Sequence, residues 1–184
     1  MFSKITQITL LLTLAAATAR GSLLSNELQS RQTPPPTDRQ YIVVNNCPTP
    51  IDLYIGTLKD NTMPTHGKIT KFSQNFDVGP FWSDINSGSI GGSTRVGFHD
   101  DYYYVIAGFS LNVGVHVEAS PRPPNSGFCI PIDCQHLPCS NTFFFPPPSF
   151  PEPTEGPPPS PYFRCPLHNE TFTITFCPSG SFPF

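Results

Sequence analysis

Six cysteines, Cys47, Cys129, Cys134, Cys139, Cys165 and Cys177, all follow a short apolar N-terminal stretch, and this combination constrains the fold more than any other feature. Lys4 gives a positive start, Ile5 to Ala17 an apolar run, and Ala17-Thr18-Ala19 small residues at a cleavage position, which is the layout of a secretory signal peptide over residues 1–19. The run is broken by Gln7 and ends at Arg20, so it is too short and too polar for a membrane span. No later stretch qualifies as a span, and the Pro-rich C-terminus does not resemble a lipid-anchor tail. The chain is expected to be secreted and extracellular. In that oxidising setting an even number of cysteines reads as three disulfides, with about fifteen pairings open on number alone.

Without the signal, nine Lys and Arg face thirteen Asp and Glu. A mildly acidic chain argues against nucleic acid as a partner, since phosphate binding needs a basic face. Twenty-four prolines in 184 residues mean that part of the chain lies outside any packed core.

Residues 20–39 are polar, run into Thr33-Pro34-Pro35-Pro36-Thr37 and show no apolar periodicity, so they are expected to form a disordered spacer. From Gln40 the pattern changes to short apolar runs punctuated by turn residues. Leu111, Val113, Val115 and Val117 alternate with Asn112, Gly114, His116 and Glu118, which predicts a strand over 111–117 with one buried and one wet face. Phe172, Ile174 and Phe176 alternate with threonines in the same way, as do Ile51, Leu53 and Ile55, and Tyr41–Val44 and Tyr102–Ile106 add shorter runs. Asn86-Ser87-Gly88, Gly91-Gly92 and Asn125-Ser126-Gly127 supply tight turns between them. The fold class is all-β, an antiparallel β-sandwich or flattened barrel built from 40–142 and 164–180. Residues 143–163 interrupt it with a Pro/Phe-rich run favouring polyproline II, read as a disordered loop or arm, because a few exposed Phe do not offset the entropy of ordering it.

The two ends of this domain resemble those of thaumatin-like (osmotin, pathogenesis-related) proteins. Asn45-Asn46-Cys47-Pro48, after one apolar run and before another, is similar to the family's opening, and Phe172 to Pro178 to its last strand. Asp101 to Phe109 followed by Leu111 to Val117 resembles the strand pair around its Asp-Gly-Phe-Asn turn, with Cys129, Cys134 and Cys139 at nearly the family spacing. The likeness covers Tyr41 to Ile55, Val96 to Ser140 and Cys165 to Pro178. It fails in two places: the family's further cysteines in the middle of the domain are missing, with none from Pro48 to Phe128, and after the Cys129 cluster the disulfide-rich second lobe of the family is replaced by the Pro-rich run. The resemblance implies Cys47 with Cys177 and Cys129 with Cys165, leaving Cys134 to pair with Cys139.

It also implies an acidic cleft of the kind that binds or cleaves β-glucan, for which glycosidase chemistry needs two facing carboxyl groups. Here Ala107 stands where the family has the Asp before Gly-Phe, and no acid lies at Val96 to Phe98. Asp100 and Asp101, with Arg95 as a charge partner, are candidates for one cleft wall, but adjacent strand residues face opposite ways and the pair reads more simply as a solvated turn. Catalysis is therefore not expected. The histidines His66, His99, His116, His136 and His168 form no metal-ligand pair; Cys134-Gln135-His136 with Cys139 looks like a zinc half-site, but disulfides are the better reading, so neither metal nor cofactor is expected.

Trp82, Tyr102 and Tyr104 are candidates for stacking on sugar rings, set against the simpler reading that they fill the core. Asn169-Glu170-Thr171 is a sequon for N-glycosylation. The resulting expectation is a secreted, non-catalytic protein that binds cell-wall polysaccharide, β-glucan by the resemblance, or plays a defence-like role, using Arg95, Asp100, Asp101, Tyr102, Tyr104 and Trp82. The alternatives are a weak β-1,3-glucanase or antifungal protein, and a scaffold whose Pro-rich arm recruits a partner.

Overall fold

A computed structural model describes residues 39–74, 78–122, 126–166 and 169–183. The expected signal peptide and the expected spacer up to Asp38, together with Asn125 and His168, lie outside the described residues. Eleven strands are described: β1 (Arg39–Asn45), β2 (Ile51–Ile55), β3 (Leu58–Met63), β4 (Lys68–Ser73), β5 (Phe81–Ser83), β6 (Arg95–His99), β7 (Tyr102–Ile106), β8 (Val115–Ser120), β9 (Ile132–Cys134), β10 (Phe163–Arg164) and β11 (Thr171–Phe176). They form two sheets, ordered β4-β1-β11-β8-β9 and β10-β7-β6-β5-β2-β3. The fold is a β-sandwich, not a closed barrel.

The alternating apolar residues meet between the sheets. Tyr41 and Val43 of β1 and Phe172, Ile174 and Phe176 of β11 are fully buried against Leu53, Phe81, Val96, Phe98, Tyr103 and Val105 of the other sheet. Aromatic rings fill the centre: Tyr41 meets Phe98 edge-on at 4.7 Å between centroids, and Phe98 meets Phe172 at 4.9 Å. Such tilted contacts add about 0.5–1.5 kcal/mol each beyond area burial.

The sandwich departs from an all-antiparallel one at β1 and β11, which pair in parallel, Tyr41 opposite Phe172 and Val43 opposite Ile174. These are the first and last strands, so no short hairpin dictates their direction. The disulfide Cys47–Cys177 ties their ends across a sequence separation of 130, which in the chain-entropy model stabilises by about 4 to 5 kcal/mol. Cys129–Cys165 and Cys134–Cys139 are the other two bridges, the set the resemblance implies.

The strand expected over 111–117 begins only at Val115 and runs to Ser120. Leu111 and Val113 are buried as expected, but so are Asn112 and Gly114, which the alternation placed in solvent. Local polar demands override the strand period: the Asn112 side chain bonds to neighbouring loops, and Gly114 gives its carbonyl to the Cys177 N–H at 2.8 Å. Strands β3 and β4 have no apolar alternation, being sheet edges carried by polar pairs such as Lys59–Asp52 at 2.5 Å and Lys71–Asp60 at 2.7 Å.

The Pro/Phe-rich run is not a free arm. The Phe143 N–H donates to the Val105 carbonyl at 2.8 Å and the Ala107 N–H to the Phe143 carbonyl at 2.9 Å, while Phe163 and Arg164 pair with Tyr103 and Tyr102. Both ends are thus stitched to β7. Between them Phe150 stacks on His99 at 4.1 Å and packs on Tyr102 and Tyr104, and the Tyr102 hydroxyl donates to the Pro151 carbonyl at 2.9 Å. The aromatics that composition alone read as exposed supply the anchors that offset the ordering entropy.

Candidate binding site

The outer face of the six-stranded sheet carries four of the six residues singled out from sequence. Tyr54, Trp82, Arg95 and Ile106 lie side by side across β2, β5, β6 and β7, and Tyr104 lies opposite Gly97. Their rings are already engaged. Trp82 is buried, stacked on Tyr54 at 4.3 Å, and its indole N–H donates to the Gly56 carbonyl at 2.8 Å. Tyr102 is buried beneath Phe150, and burial raises its phenol pKa. Arg95 is nearly buried, and desolvation lowers its guanidinium pKa against the raising influence of Tyr104. This face offers no open aromatic platform, because the Pro-rich segment covers Tyr102 and Tyr104.

Asp100 and Asp101 sit in the turn between β6 and β7. Asp101 is held by Arg164 at 3.4 Å and lies 3.9 Å from Arg39, and the Asp100 carbonyl accepts from Arg39 Nη1 at 2.5 Å. They serve an ion-pair network around Arg39 and do not face a second carboxyl across a cleft. Cys134 and Cys139, being joined to each other, present no thiolate for zinc, and among the described residues no His, Cys, Asp and Glu cluster could hold a metal ion.

The open site lies at the end of the sandwich where β7 leads into β8. Asn112 organises it. Its side-chain oxygen accepts from the Thr94 N–H at 2.8 Å, its amide donates to the Ser83 and Ile85 carbonyls at 3.0 and 2.9 Å, and its own carbonyl accepts from the Asn86 amide at 2.8 Å. These bonds hold Asn86 and Ser87 in the left-handed region, at φ 55° and 64°. Such residues cost about 1–3 kcal/mol each and persist only where surrounding structure fixes them. Gly88 is required beside them, since a Cβ there would overlap Ser93 and stand 2.5 Å from the Asn112 amide nitrogen.

The result is a groove of 520 Å³ lined by Asn86, Ser87, Gly88, Gly92, Ser110, Leu111, Asn112, His136, Leu137 and Pro183. Leu137 also lines a smaller hollow of 120 Å³ beneath Phe109 and Phe144. Phe109 stacks on Phe144 at 5.2 Å and meets Phe145 edge-on at 5.8 Å. The three rings are 78%, 56% and 67% exposed, so unlike the aromatics of the sheet face they present open surfaces beside the groove. Their exposure follows from the anchoring of the segment: with Phe143 and Phe150 tied down, Phe144 and Phe145 project. Sequence reasoning missed this site. The signals available to it were Phe109 in an otherwise small-residue loop and the triplet Phe143-Phe144-Phe145.

No family model matches the chain, and no curated protein matches it. Among solved structures the chain is similar to the thaumatin-like xylanase inhibitor TLXI, at 14% identity and a TM-score of 0.42, over 75% of this chain and 99% of the inhibitor. It is also similar to the protein elicitor MoHrip2 from Magnaporthe oryzae, at 16% identity and a TM-score of 0.40, over 76% of this chain and 98% of the elicitor.

Proposed function

We propose that the protein is a non-catalytic extracellular binder of neutral polysaccharide, of which cell-wall β-glucan is the first candidate, and that the groove beside Phe109 and Phe144 is its binding site. The observation that carries this reading is the pairing of open aromatic faces with an uncharged groove. Amides, hydroxyls and one imidazole line the groove, and among the described lining residues there is no carboxylate, Lys or Arg. A sugar ring offers a C–H face to the aromatics and hydroxyls to the amides, whereas a charged ligand would find no partner for its charge. With no carboxyl pair in the groove, and with Asp100 and Asp101 at the far end of β7, glycoside cleavage there has no acid and base to use. Three disulfides and an exposed apolar patch suit a protein working outside the cell.

The test is co-sedimentation of the oxidised protein with insoluble β-1,3-glucan and with polygalacturonate, alongside the Phe109→Ala/Phe144→Ala double variant. Retention on glucan that the double variant loses supports the reading. Retention on neither polymer, or equal retention of the variant, overturns it.

A further inference from the structure

Asn169-Glu170-Thr171 is the only Asn-x-Ser/Thr sequence in the chain. Its three residues have contrasting environments. Asn169 is exposed. Glu170 is fully buried, with its carboxylate 2.6 Å from the guanidinium of the equally buried Arg39. The Thr171 hydroxyl donates to the Gln40 side-chain oxygen at 2.8 Å, and its backbone sits between Gln40 of β1 and Ser120 of β8.

We propose that Asn169 is an N-glycosylation site whose modification precedes insertion of β11 between β1 and β8. In the reaction the Asn169 amide nitrogen attacks the anomeric carbon of an oligosaccharide carried on a lipid pyrophosphate. The new C–N bond replaces the sugar–phosphate C–O bond, the lipid pyrophosphate leaves with the electron pair, and one amide proton passes to a base of the transferring enzyme. No oxidation or reduction is involved. The enzyme must hold the sequon as an accessible peptide. Once the sandwich is complete, Glu170 and Thr171 are withdrawn from it, one into a buried ion pair and the other into the middle strand of a sheet. Opening that end means breaking the Arg39–Glu170 pair and unpairing β11 on both sides, so the exposed Asn169 alone is not a usable substrate.

Position adds a reason for the site to be tolerated. β11 spans about 20 Å, and the groove lies beyond its other end, where Cys177 follows Phe176 and Gly114 precedes Val115. A glycan on Asn169 therefore stands at the end of the sandwich away from the groove and leaves it open. The inference rests on export through the secretory route and not on the polysaccharide reading.

The experiment offers the full-length chain to oligosaccharyltransferase membranes with a lipid-linked oligosaccharide donor, once reduced and unfolded and once folded and oxidised. The readout is an endoglycosidase-sensitive mass increase of one glycan. The reduced chain is expected to gain it, its Asn169→Gln variant to stay unchanged, and the folded chain to react at least about tenfold more slowly. Folded Glu170→Gln, which weakens the lock and keeps the sequon, should react faster than the folded parent. A reduced chain that takes no glycan overturns the site, and a folded chain that reacts as fast as the reduced one overturns the order of events.

Discussion

Arg39 and Glu170 form an ion pair of 2.6 Å with both side chains fully withdrawn from solvent, at the point where the first and last strands of the sandwich begin. Replacing one member of such a pair strands the other charge. Glu170→Ala should lower unfolding stability by about 3 kcal/mol, softened by the remaining contacts of Arg39 with Asp100 and Asp101, as read from urea denaturation. A loss below about 1 kcal/mol would mean that the pair is not closed in solution. The double variant Arg39→Met/Glu170→Leu should recover much of the loss, because well-packed apolar residues replace buried ion pairs at little cost.

The same pair sets a pH dependence. Burial raises the Glu170 carboxyl above its ordinary 4.5, and Arg39 only partly opposes it. Folded protein then holds a proton that unfolded chain has released, so this residue's contribution falls as pH rises from 4.5 through the folded value. Glu170→Gln should remove that slope from a plot of Tm against pH. At the alkaline end, burial pushes Tyr41 up to about 12 and raises Tyr103 as well. The unfolded chain ionises these phenols first, so stability should fall above pH 10; Tyr54 and Tyr102 are raised as well, so absorbance of tyrosinate should show four of the six tyrosines ionising late, with Tyr41 and Tyr103 last.

Phe109→Ala and Phe144→Ala should each weaken glucan binding about tenfold. Both rings are more than half exposed, so unfolding stability should stay within about 0.5 kcal/mol of the parent. A variant that lost binding together with several kcal/mol would point to a damaged fold in place of a lost contact.

Gly97→Ala tests how the Pro-rich segment is held. A Cβ at position 97 would collide with the Tyr104 ring, reaching 2.5 Å from its hydroxyl oxygen and 2.7 Å from Cε2. Tyr104 in turn supports Phe150 and Phe143. The substitution should cost about 1–3 kcal/mol, and limited proteolysis should cut within residues 144–160 faster in the variant than in the parent. Equal protection of parent and variant would show that Tyr104 is not a prop for the segment.

The core was readable in the chain because burial on one face writes itself as alternation, as in Phe172, Ile174 and Phe176. Strands β3 and β4 were not, since these edge strands bury few apolar side chains, Met63 in β3 and part of Ile69 in β4, too few to write an alternation. Asn112 misled for a related reason: an amide at an even position of an apolar alternation looks solvent-facing, yet three backbone groups of distant loops claim it. The candidate site was hidden more deeply. Phe143, Phe144, Phe145 and Phe150 are chemically alike in sequence, and only the stitching of Phe143 to β7 and the seat of Phe150 on His99 decide which rings are anchors and which are open. Of the aromatics conspicuous in sequence, Tyr102 and Tyr104 proved to be covered by that same segment, and Trp82 is engaged by Tyr54 and the Gly56 carbonyl.

The segment between its anchors suggests a practical use. Pro153 to Gly156 are exposed, while the chain on either side is fixed by Phe150 on His99 and by the Tyr162 hydroxyl, which donates to the Ser149 carbonyl at 2.8 Å. A foreign peptide inserted between Glu155 and Gly156 would be presented on two short stems at the surface of a disulfide-stapled scaffold, outside every strand, which makes this tip a natural place to graft a recognition loop.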